Sequence, residues 1–410
     1  MSWISGLFKG KTANFRVILV LKTFSTMLDN LTQQYRWIYT RILGADALQI
    51  GYISSLSGVV SAIISVPAGW SADIQDLKKV IIFTQILNLS IPLIYAIAWN
   101  WQMVIPAVVL SSAVTHLMWS NVNISIANST TDEERGSGFA LIQSFSQVSA
   151  IFSPLIAGYV IQAQSGINTQ SIRPLFYAQF IGSCMLCFYV FKKFKNPSSL
   201  RMTSRRSFIS DIKDIFKDNT NLKRFIIVRC LMSFINSLVG AFTMVFASEI
   251  KGASVLTIGA MVTAQMIVAA VVAIPLGRFS DRFGRKPTIY LQEVSLCIQY
   301  FLLILAPMGK PEYLITAWVI GGISMGGMGW STIIMEMVPA DQRGRWGGIS
   351  QLFNGVALIP GSILGGLLWD RFNPESPFIA YICITVFILM PIFTTIPETL
   401  RRKKIVRTSL

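Results

Sequence analysis

Long apolar runs alternate with short polar segments from one end of the chain to the other. An α-helix of about 20 residues crosses the hydrocarbon core of a bilayer. About twelve runs reach this length, and they lie near residues 14–40, 47–71, 79–99, 102–127, 137–161, 174–193, 222–248, 254–277, 287–307, 312–336, 345–368 and 376–396. A polar, basic stretch from Lys192 to Arg224 separates the sixth run from the seventh and contains an amphipathic patch typical of a short surface helix. The pattern predicts an all-α integral membrane protein with about twelve transmembrane helices.

Composition agrees with a membrane location. Of the 410 residues, 53% are hydrophobic and 13% are charged, and the mean hydropathy is +0.57. Soluble domains carry about 25% charged residues, so lipid must cover most of this surface. The net charge of +16 does not indicate nucleic-acid binding, because the basic residues form short clusters between apolar runs. Residues 1–11 lack the apolar core of a cleavable signal peptide, and the first run is expected to remain in the mature protein.

Lysine and arginine residues are distributed unevenly between the two sides of the predicted bundle. With a cytoplasmic N-terminus, the inside segments contain Lys9, Lys11, Arg16, Lys78, Lys79, Arg135, the central linker, the cluster from Arg278 to Lys286, Arg343, Arg345 and the tail from Arg401 to Arg407. The outside loops contain Arg41, Arg173, Lys251, Lys310 and Arg371. Because cytoplasmic loops carry an excess of Lys and Arg, we expect a multi-pass protein of the cell membrane with both termini cytoplasmic.

A repeat with an offset of 208 residues divides the chain into two halves. The matching pairs are Gly44 with Gly252, Gly51 with Gly259, Pro67 with Pro275, Gly69 with Gly277, Asp73 with Asp281, Arg135 with Arg343, Gln143 with Gln351 and Gly158 with Gly366. Several blocks in one register indicate a duplicated six-helix bundle, an architecture common among transporters. The predicted units are an N-terminal bundle (1–193), a cytoplasmic linker (194–221), a C-terminal bundle (222–396) and a basic tail (397–410).

The segment from Gly277 to Lys286 reads Gly-Arg-Phe-Ser-Asp-Arg-Phe-Gly-Arg-Lys. It matches every specified position of the loop signature Gly-x-x-x-Asp-Arg-x-Gly-Arg/Lys-Arg/Lys. Together with the two halves, the basic linker and the block Asp341-Gln342-Arg343-Gly344, the whole chain resembles the major facilitator superfamily. The resemblance implies a carrier in which helices 1, 4, 7 and 10 line a central site, and it associates this loop with the inward–outward switch.

In that role, the loop from Gly277 to Lys286 would act as a latch. Gly277 would let two helices approach closely, Gly284 would allow a tight turn, and Asp281 would cap a neighbouring helix. Arg282, Arg285 and Lys286 would pair with acids such as Glu336 or Asp341 while the cytoplasmic side is shut. The alternative is that the basic residues act only as a topology signal. The gating candidates are Gly69, Asp73, Arg135, Gly277, Asp281, Arg282, Gly284, Arg285, Lys286 and Arg343.

The first-half copy of the loop departs from the signature. Gly69 and Asp73 are present, but Ile74 stands where the signature has arginine and Asp76 stands where it has the second glycine. Superfamily members that export drugs in exchange for protons usually keep this first copy, so the departure counts against a drug antiporter without excluding one.

Ionisable residues inside the predicted first helix are candidates for the transport site. Lys22, Asp29 and Arg36 are spaced by seven residues and therefore share a helical face, which also includes Gln33. A charged side chain near the bilayer centre costs roughly 2.5–3.5 kcal/mol to insert and indicates function by default. Asp29 falls near mid-membrane and is the candidate proton-coupling residue. Alternatively, Asp29 pairs permanently with a neighbouring cation and only holds the helices together.

Other predicted helices offer candidates for contact with a solute. These are Arg36 in helix 1, His116 and Asn123 in helix 4, Arg229 and Asn236 in helix 7, and Trp330 in helix 10. Arg229 either faces the cavity, where it would bind an anionic group, or extends toward the membrane surface. His116 either lines the pathway or is packed between helices. Glu293 in helix 9 is expected to be partly exposed near an interface.

The favoured hypothesis is a monomeric secondary transporter that moves a small organic solute with an anionic group and uses protons as the coupling ion. An alternative is proton-driven export of lipophilic or drug-like compounds, which an aromatic-rich cavity and a lipid-facing Arg229 would favour. A third hypothesis is a transport-inactive sensor on the same scaffold. No catalytic arrangement, metal-ligand cluster or phosphate-binding loop indicates an enzyme or a cofactor.

Overall fold

A computed structural model describes residues 12–70, 76–127, 129, 135–164, 166–196, 220–327, 329–338 and 343–400. Within these ranges the side chains at 66–70, 119–120, 123–124, 127, 135–136, 220–221, 331, 335 and 343–345 are outside the description. The predicted surface helix of the central linker also lies outside the described residues.

The described part of the chain forms twelve long helices, α1 to α12. In the first half they are α1 (Ala13–Thr32, a 3-10 turn at Gln33–Tyr35, then Arg36–Ile42), α2 (Ala47–Trp70), α3 (Leu77–Ile97), α4 (Val104–Ala127), α5 (Arg135–Ala150 and Ser153–Gln162) and α6 (Thr169–Lys193). In the second half they are α7 (Thr220–Gly240, Thr243–Val245 and Phe246–Ile250), α8 (Val255–Phe283), α9 (Arg285–Leu305), α10 (Pro311–Gly326 and Gly329–Met337), α11 (Arg343–Arg371) and α12 (Ser376–Ile384, Thr385–Leu389 and Met390–Thr394).

Most of these helices suit a membrane. Ten helical stretches of the described residues are long and apolar enough to cross one. The other two helices are α1, which contains Lys22, Asp29 and Arg36, and α10, which is interrupted at Gly327. The twelve apolar runs of the sequence therefore each correspond to a helix.

Local sequence signals explain where several helices begin. The side chains of Asp76, Asn100, Asn168 and Ser254 each accept a hydrogen bond from the backbone N–H three residues later. Such caps satisfy donors that the first helical turn leaves free. The α1–α2 and α7–α8 turns contain Gly44 and Gly252, whose φ angles are 97° and 68°. Both conformations favour glycine.

The two halves pack through helix pairs that repeat the 208-residue offset. A Cβ atom on Gly51 of α2 would lie 2.6 Å from the carbonyl oxygen of Ser362 in α11. A Cβ atom on Gly259 of α8 would lie 2.6 Å from the carbonyl oxygen of Pro154 in α5. Both partners differ by 208 residues, so α2 packs on α11 much as α8 packs on α5. The duplication therefore extends from the sequence to the interface between the halves.

The molecule has two ends, which we name by chain position. The terminal face is where α1 begins and α12 ends, and the distal face contains the α1–α2 and α7–α8 turns. Hydrogen bonds that link described residues of the two halves lie in the distal half. Arg41 Nε lies 3.0 Å from Glu249 Oε1, Leu48 N donates to Asp370 Oδ2 at 2.9 Å, and the Tyr35 hydroxyl donates to the Val255 carbonyl at 3.1 Å. The distal side is closed in this conformation.

Candidate functional site

Two adjoining chambers meet at α11: the first is lined by helices of the N-terminal half and Gln351, and the second is lined by helices of both halves. The first chamber has a volume of about 480 Å³ and is lined mainly by α1, α3, α4 and α5. The second chamber has a volume of about 450 Å³ and is lined mainly by α2, α7 and α11. Gln351 of α11 lines both chambers, and its repeat partner Gln143 lines the first. Pockets of this size suit a small molecule.

The first chamber collects the charged face of α1. Lys22, Asp29, Gln33 and Arg36 line it together with His116 of α4. The Asp29 side chain is 40% exposed and the Arg36 side chain 20% exposed, so both are accessible from the chamber. Arg36 Nη2 lies 3.8 Å from Asp29 Oδ1, which is too long for a direct hydrogen bond. The sequence predicted the shared face, and the structure places it on the cavity.

A closer contact to Asp29 comes from α6. The Gln179 amide nitrogen donates to Asp29 Oδ1 at 2.8 Å, and the Thr32 hydroxyl donates to Gln179 Oε1 at 2.7 Å. Arg36 Nη2 donates to the Thr32 hydroxyl oxygen at 3.4 Å. These bonds join Arg36, Thr32, Gln179 and Asp29 into a chain that ends on the carboxylate.

The second chamber contains an arginine that forms no ion pair within 4 Å of a described carboxylate. Arg229 lines this chamber with Ser233, Asn236 and Asn354. Its Nε atom is buried without a hydrogen-bond partner. Asn236 Nδ2 donates to the carbonyl of Met232, one helical turn back, at 2.9 Å. Of the two predicted orientations of Arg229, the structure adopts the one that faces the cavity.

Aromatic side chains contribute little to the cavity walls. Within the described part of the chain, Trp37 is the aromatic residue that lines the second chamber, and Phe139 the one that lines the first. Serine, asparagine, glutamine and charged residues make up much of the remainder. The walls therefore offer a solute charged and hydrogen-bonding groups alongside aliphatic surface.

Trp330 and Glu293 lie together outside both chambers. The Trp330 indole N–H donates to Glu293 Oε1 at 3.3 Å, and the Trp330 ring packs against Phe225 and Phe393, with ring centroids 6.1 Å and 5.1 Å away. Glu293 is 4% exposed, so the expected partial exposure is wrong. Glu293 lies on the side of α9 that faces α10. There the indole N–H of Trp330 provides a hydrogen bond to the buried carboxyl group. The side chain of Asn123 lies outside the description.

The break in α10 is held from the neighbouring helix α9. The amide nitrogen of Gln292 donates to the carbonyls of Ser324 and Gly327, at 2.8 Å each. These carbonyls lie where the helical hydrogen-bond ladder stops, and interrupted membrane helices need such replacement partners.

The latch loop (Gly277 to Lys286) is organised around Arg285. Arg285 Nη1 lies 2.6 Å from Asp281 Oδ1, and Arg285 Nη2 lies 3.1 Å from Glu336 Oε1. Gly284 has a φ angle of 118°, which agrees with the expected tight turn. The pair with Glu336 was expected, and here it joins α9 to α10 within one half.

Other residues of the latch loop make contacts that differ from those expected. A Cβ atom on Gly277 would meet nothing within 4 Å, so the expected close helix approach at Gly277 is absent in this conformation. Asp281 pairs with Arg285 on the next helix, and no cap by Asp281 is seen among the described residues. Lys286 Nζ donates to the carbonyls of Thr394 and Ile396 at 2.9 Å each, and the Arg282 guanidinium lies 5.5 Å from the centre of the Phe283 ring.

The helices that follow the two copies of this loop, α3 and α9, are capped at their N-termini by carboxylates from different places in the chain. Glu398, after α12, accepts hydrogen bonds from the backbone N–H groups of Arg285 and Lys286 at 2.9 Å each. In the first half, Asp76 replaces the glycine at the position equivalent to Gly284, and its own carboxylate caps α3. The pKa of Asp76 lies below its usual range because the Lys79 side chain and the Asn196 amide donate to it. The departure from the signature is thus a helix cap.

Four gating candidates receive no structural description of their side chains. Asp73 lies outside the described residues, and Gly69, Arg135 and Arg343 lie in helices at positions where the side-chain surroundings are not described. Their gating roles stay predictions.

Sequence reasoning missed Gln179, Thr32 and Glu398. Gln179 and Thr32 are neutral polar residues on predicted spans, and such residues are common between packed membrane helices. Glu398 lies after the last span, where nothing in the pattern places it near α9. A usable signal existed for Gln351, because it repeats Gln143 at the 208-residue offset.

The fold and the polar cavity define a membrane transport protein made of two similar six-helix bundles. The family model for the Major Facilitator Superfamily matches residues 17–326 and 225–409. The chain belongs to the major facilitator superfamily and is a transporter rather than an enzyme.

Similar proteins fall into several transport groups. Multidrug resistance protein 1 of Bacillus subtilis (strain 168) is 22% identical over 366 residues, which cover 86% of this chain and 88% of that protein. Tetracycline resistance protein, class B, of Escherichia coli is 28% identical over 142 residues, which cover 34% of this chain and 35% of that protein. This chain therefore matches only about a third of that relative's length.

Solved structures share the fold at low sequence identity. The nucleoside transporter NupG has a TM-score of 0.75 and 15% identity, with 93% of this chain and 100% of that chain covered. The D-xylose-proton symporter has a TM-score of 0.69 and 15% identity, with 94% of this chain and 97% of that chain covered.

Proposed function

We propose that this protein is a secondary active transporter that moves a small organic anion together with protons. The observation that carries the proposal is the placement of Arg229, which forms no ion pair within 4 Å of a described carboxylate, beside a chamber that contains the loosely paired Asp29 and Arg36. The solute would bind between the halves, with Gln33, Arg36, His116, Arg229 and Asn236 as contacts.

The charges of the chamber walls favour an anion. Lys22, Arg36 and Arg229 are cationic, and Asp29 is the one carboxylate among the described lining residues. Guanidinium groups bind carboxylate and phosphate oxygens through paired N–H donors. An anionic solute would compensate the excess positive charge, and a neutral sugar would not.

Asp29 would couple solute movement to protons through competition with Arg36. The carboxylate faces the chamber, and Arg36 lies within 3.8 Å of it. When Asp29 takes up a proton, the attraction that holds Arg36 toward it is removed, and Arg36 becomes available to the anion. Proton and anion would then bind together, as symport requires.

Alternating access would proceed by rocking of the two halves about α2–α11 and α5–α8. With the terminal face in the cytoplasm of a cell-membrane protein, the closed distal side makes this conformation inward-facing. Each chain contains both halves of the chamber, and the unit of function would therefore be the monomer.

Export of lipophilic compounds is the second candidate function. It is supported by the similarity to proteins named for multidrug and tetracycline resistance. The chamber walls, with one described aromatic residue each, favour the anion.

Flux measurements in liposomes test the proposal. Purified protein is reconstituted with an internal pH dye and exposed to radiolabelled monocarboxylates, dicarboxylates, phosphate esters, sugars and lipophilic cations. We expect proton entry with one class of anion, and loss of that coupled entry in Asp29→Asn while the variant still folds. Proton-linked flux of lipophilic cations would establish the export function instead. Absence of flux for every solute would contradict transport and favour the sensor hypothesis.

A further inference from the structure

Gln179 occupies an unusual place for a glutamine in a membrane helix. It is 2% exposed, lies on α6, and is not among the residues that line either chamber. Both ends of its amide are used, because the nitrogen donates to Asp29 Oδ1 and the oxygen accepts from the Thr32 hydroxyl. A buried amide satisfied at both ends specifies one orientation.

That orientation divides the two oxygens of Asp29 between different surroundings. Oδ1 receives the Gln179 hydrogen bond at 2.8 Å and also faces Arg36. Oδ2 has no hydrogen bond to a described residue, while the side chain as a whole is 40% exposed. Oδ2 is therefore the oxygen open to the chamber.

The same amide also reaches Arg36 indirectly. Because the Thr32 hydroxyl donates to Gln179, its oxygen is free to accept from Arg36 at 3.4 Å. Thr32 ends the first segment of α1, and the 3-10 turn Gln33–Tyr35 separates it from Arg36. Gln179 thus contacts Asp29 and Thr32, which precede this turn, directly. It reaches Arg36, which follows the turn, only through the Thr32 hydroxyl.

We propose that Gln179 is the positioning residue of the coupling site: it holds Asp29 through Oδ1, leaves Oδ2 to exchange the proton, and keeps Arg36 from closing onto the carboxylate. This inference rests on the proposed role of Asp29. Glutamine can fill this role and leucine cannot, because the glutamine amide donates a hydrogen bond to the carboxylate and also accepts one from the Thr32 hydroxyl.

Proton occupancy of Asp29 can be measured without knowing the solute. Dicyclohexylcarbodiimide modifies protonated carboxyl groups in apolar surroundings, and the tryptic peptide Thr23–Arg36 contains Asp29 as its one acid. Mass spectrometry of this peptide across a pH series gives the pH at which labelling is half-maximal. Trypsin does not cleave before Pro287 or Pro311, so the reference peptide from the other half runs from Lys286 to Arg343. Its fragment ions separate the label on Glu293 from label on the other acids of that peptide.

The decisive comparison is Gln179→Met against Gln299→Met, a matched loss of a buried amide on α9, where Gln299 is 3% exposed. In Gln179→Met, loss of the donor to the carboxylate should move the half-labelling pH of Asp29 upward by about one unit. The half-labelling pH of Glu293 should stay the same in Gln179→Met, and the half-labelling pH of Asp29 should stay the same in Gln299→Met. An unchanged or lower half-labelling pH in Gln179→Met, or an equal shift in Gln299→Met, would overturn the inference.

A second variant separates positioning from packing. In Gln179→Glu the shape is kept, and a protonated glutamic acid can still donate to Asp29 while accepting from Thr32. Labelling of Asp29 should then match the wild type in acid and depart from it as the pH rises. A Gln179→Glu profile parallel to wild type at every pH would contradict the proposal. If the labelling shift occurs but the liposome assay shows no proton-linked flux, the proposed function fails while the positioning role stands.

Discussion

Arg229 and Arg224 are two arginines on α7 whose surroundings differ. Arg229 lines the second chamber with a buried Nε atom that has no hydrogen-bond partner among the described residues. Arg224 lies nearer the terminal face, is exposed, and donates to the Thr395 carbonyl at 3.4 Å. Arg229 therefore lines the chamber, where we expect it to bind the solute, whereas Arg224 makes a contact at the surface.

We expect Arg229→Met to raise the KM for the transported anion about ten-fold or more, because removal of one partner of a buried charged hydrogen bond typically costs 2–5 kcal/mol. Arg224→Met is the matched control and should change KM less than about two-fold. Initial uptake rates in liposomes across a concentration series measure both. Equal KM values for Arg229→Met and wild type would contradict a contact between Arg229 and the solute.

Some features of the candidate site could be predicted from the sequence, and others could not. Spacing by seven put Lys22, Asp29 and Arg36 on one face of α1, and the structure places that face on a chamber. Spacing along the sequence does not fix the rotation of a helix about its axis. The orientation of Arg229 therefore could not be predicted, and the predicted partial exposure of Glu293 was wrong. Gln179 was missed because its function comes from contacts with α1, 150 residues away in sequence.

At the scale of elements, helix ends and helix contacts determine how the halves meet. Gly355 on α11 has no room for a side chain, since a Cβ atom would lie 2.7 Å from the Gly58 carbonyl oxygen. Gly347, on the same helix, would meet nothing within 4 Å. Glycine content alone does not separate these positions, because close approach depends on which helix lies opposite. Glycines that recur at the 208-residue offset do lie at equivalent interfaces, as Gly51 and Gly259 show, but the offset alone did not predict which helices would pair.

The Glu398 carboxylate caps the N-terminus of α9, and its contribution to stability can be measured directly. Glu398 accepts from the backbone N–H groups of Arg285 and Lys286, where a negative charge is favoured at a helix N-terminus. Glu398→Ala should lower the free energy of unfolding by about 0.5–2 kcal/mol. Thermal unfolding of purified protein in detergent, read from intrinsic tryptophan fluorescence, reports the loss.

Two variants control for the Glu398 measurement. Glu398→Gln keeps one acceptor oxygen and should fall between the alanine variant and wild type. Glu375 immediately precedes α12, and its side chain makes no capping hydrogen bond. Glu375→Ala should therefore leave the unfolding midpoint unchanged. Equal midpoints for Glu398→Ala and Glu375→Ala would show that the cap does not contribute to stability.

At the scale of the whole molecule, the duplication determines where the distal side closes. Arg41 and Glu249 occupy equivalent positions of the two halves, 208 residues apart, and form an ion pair across the distal face. Residues near a pseudo-two-fold axis approach their own repeat partners, so opposite charges at one repeat position make a contact between the halves. The sequence contained both residues and the offset, but the pairing required the relative placement of the halves.

We expect loss of this ion pair to shift the protein away from the distal-closed conformation. The side chains are 28% and 38% exposed, and partly exposed pairs contribute about 0–1 kcal/mol. Arg41→Glu, which places two carboxylates together, should therefore increase the distal-open population by up to about five-fold. Spin labels at Ile42→Cys and Met308→Cys, with the native cysteines replaced, measure the distance between the halves by pulsed electron paramagnetic resonance. The charge swap Arg41→Glu with Glu249→Arg should restore the short distance. If the single variant keeps the wild-type distance distribution, or if the swap resembles the single variant, the distal side closes through its backbone contacts and helix packing without help from this pair.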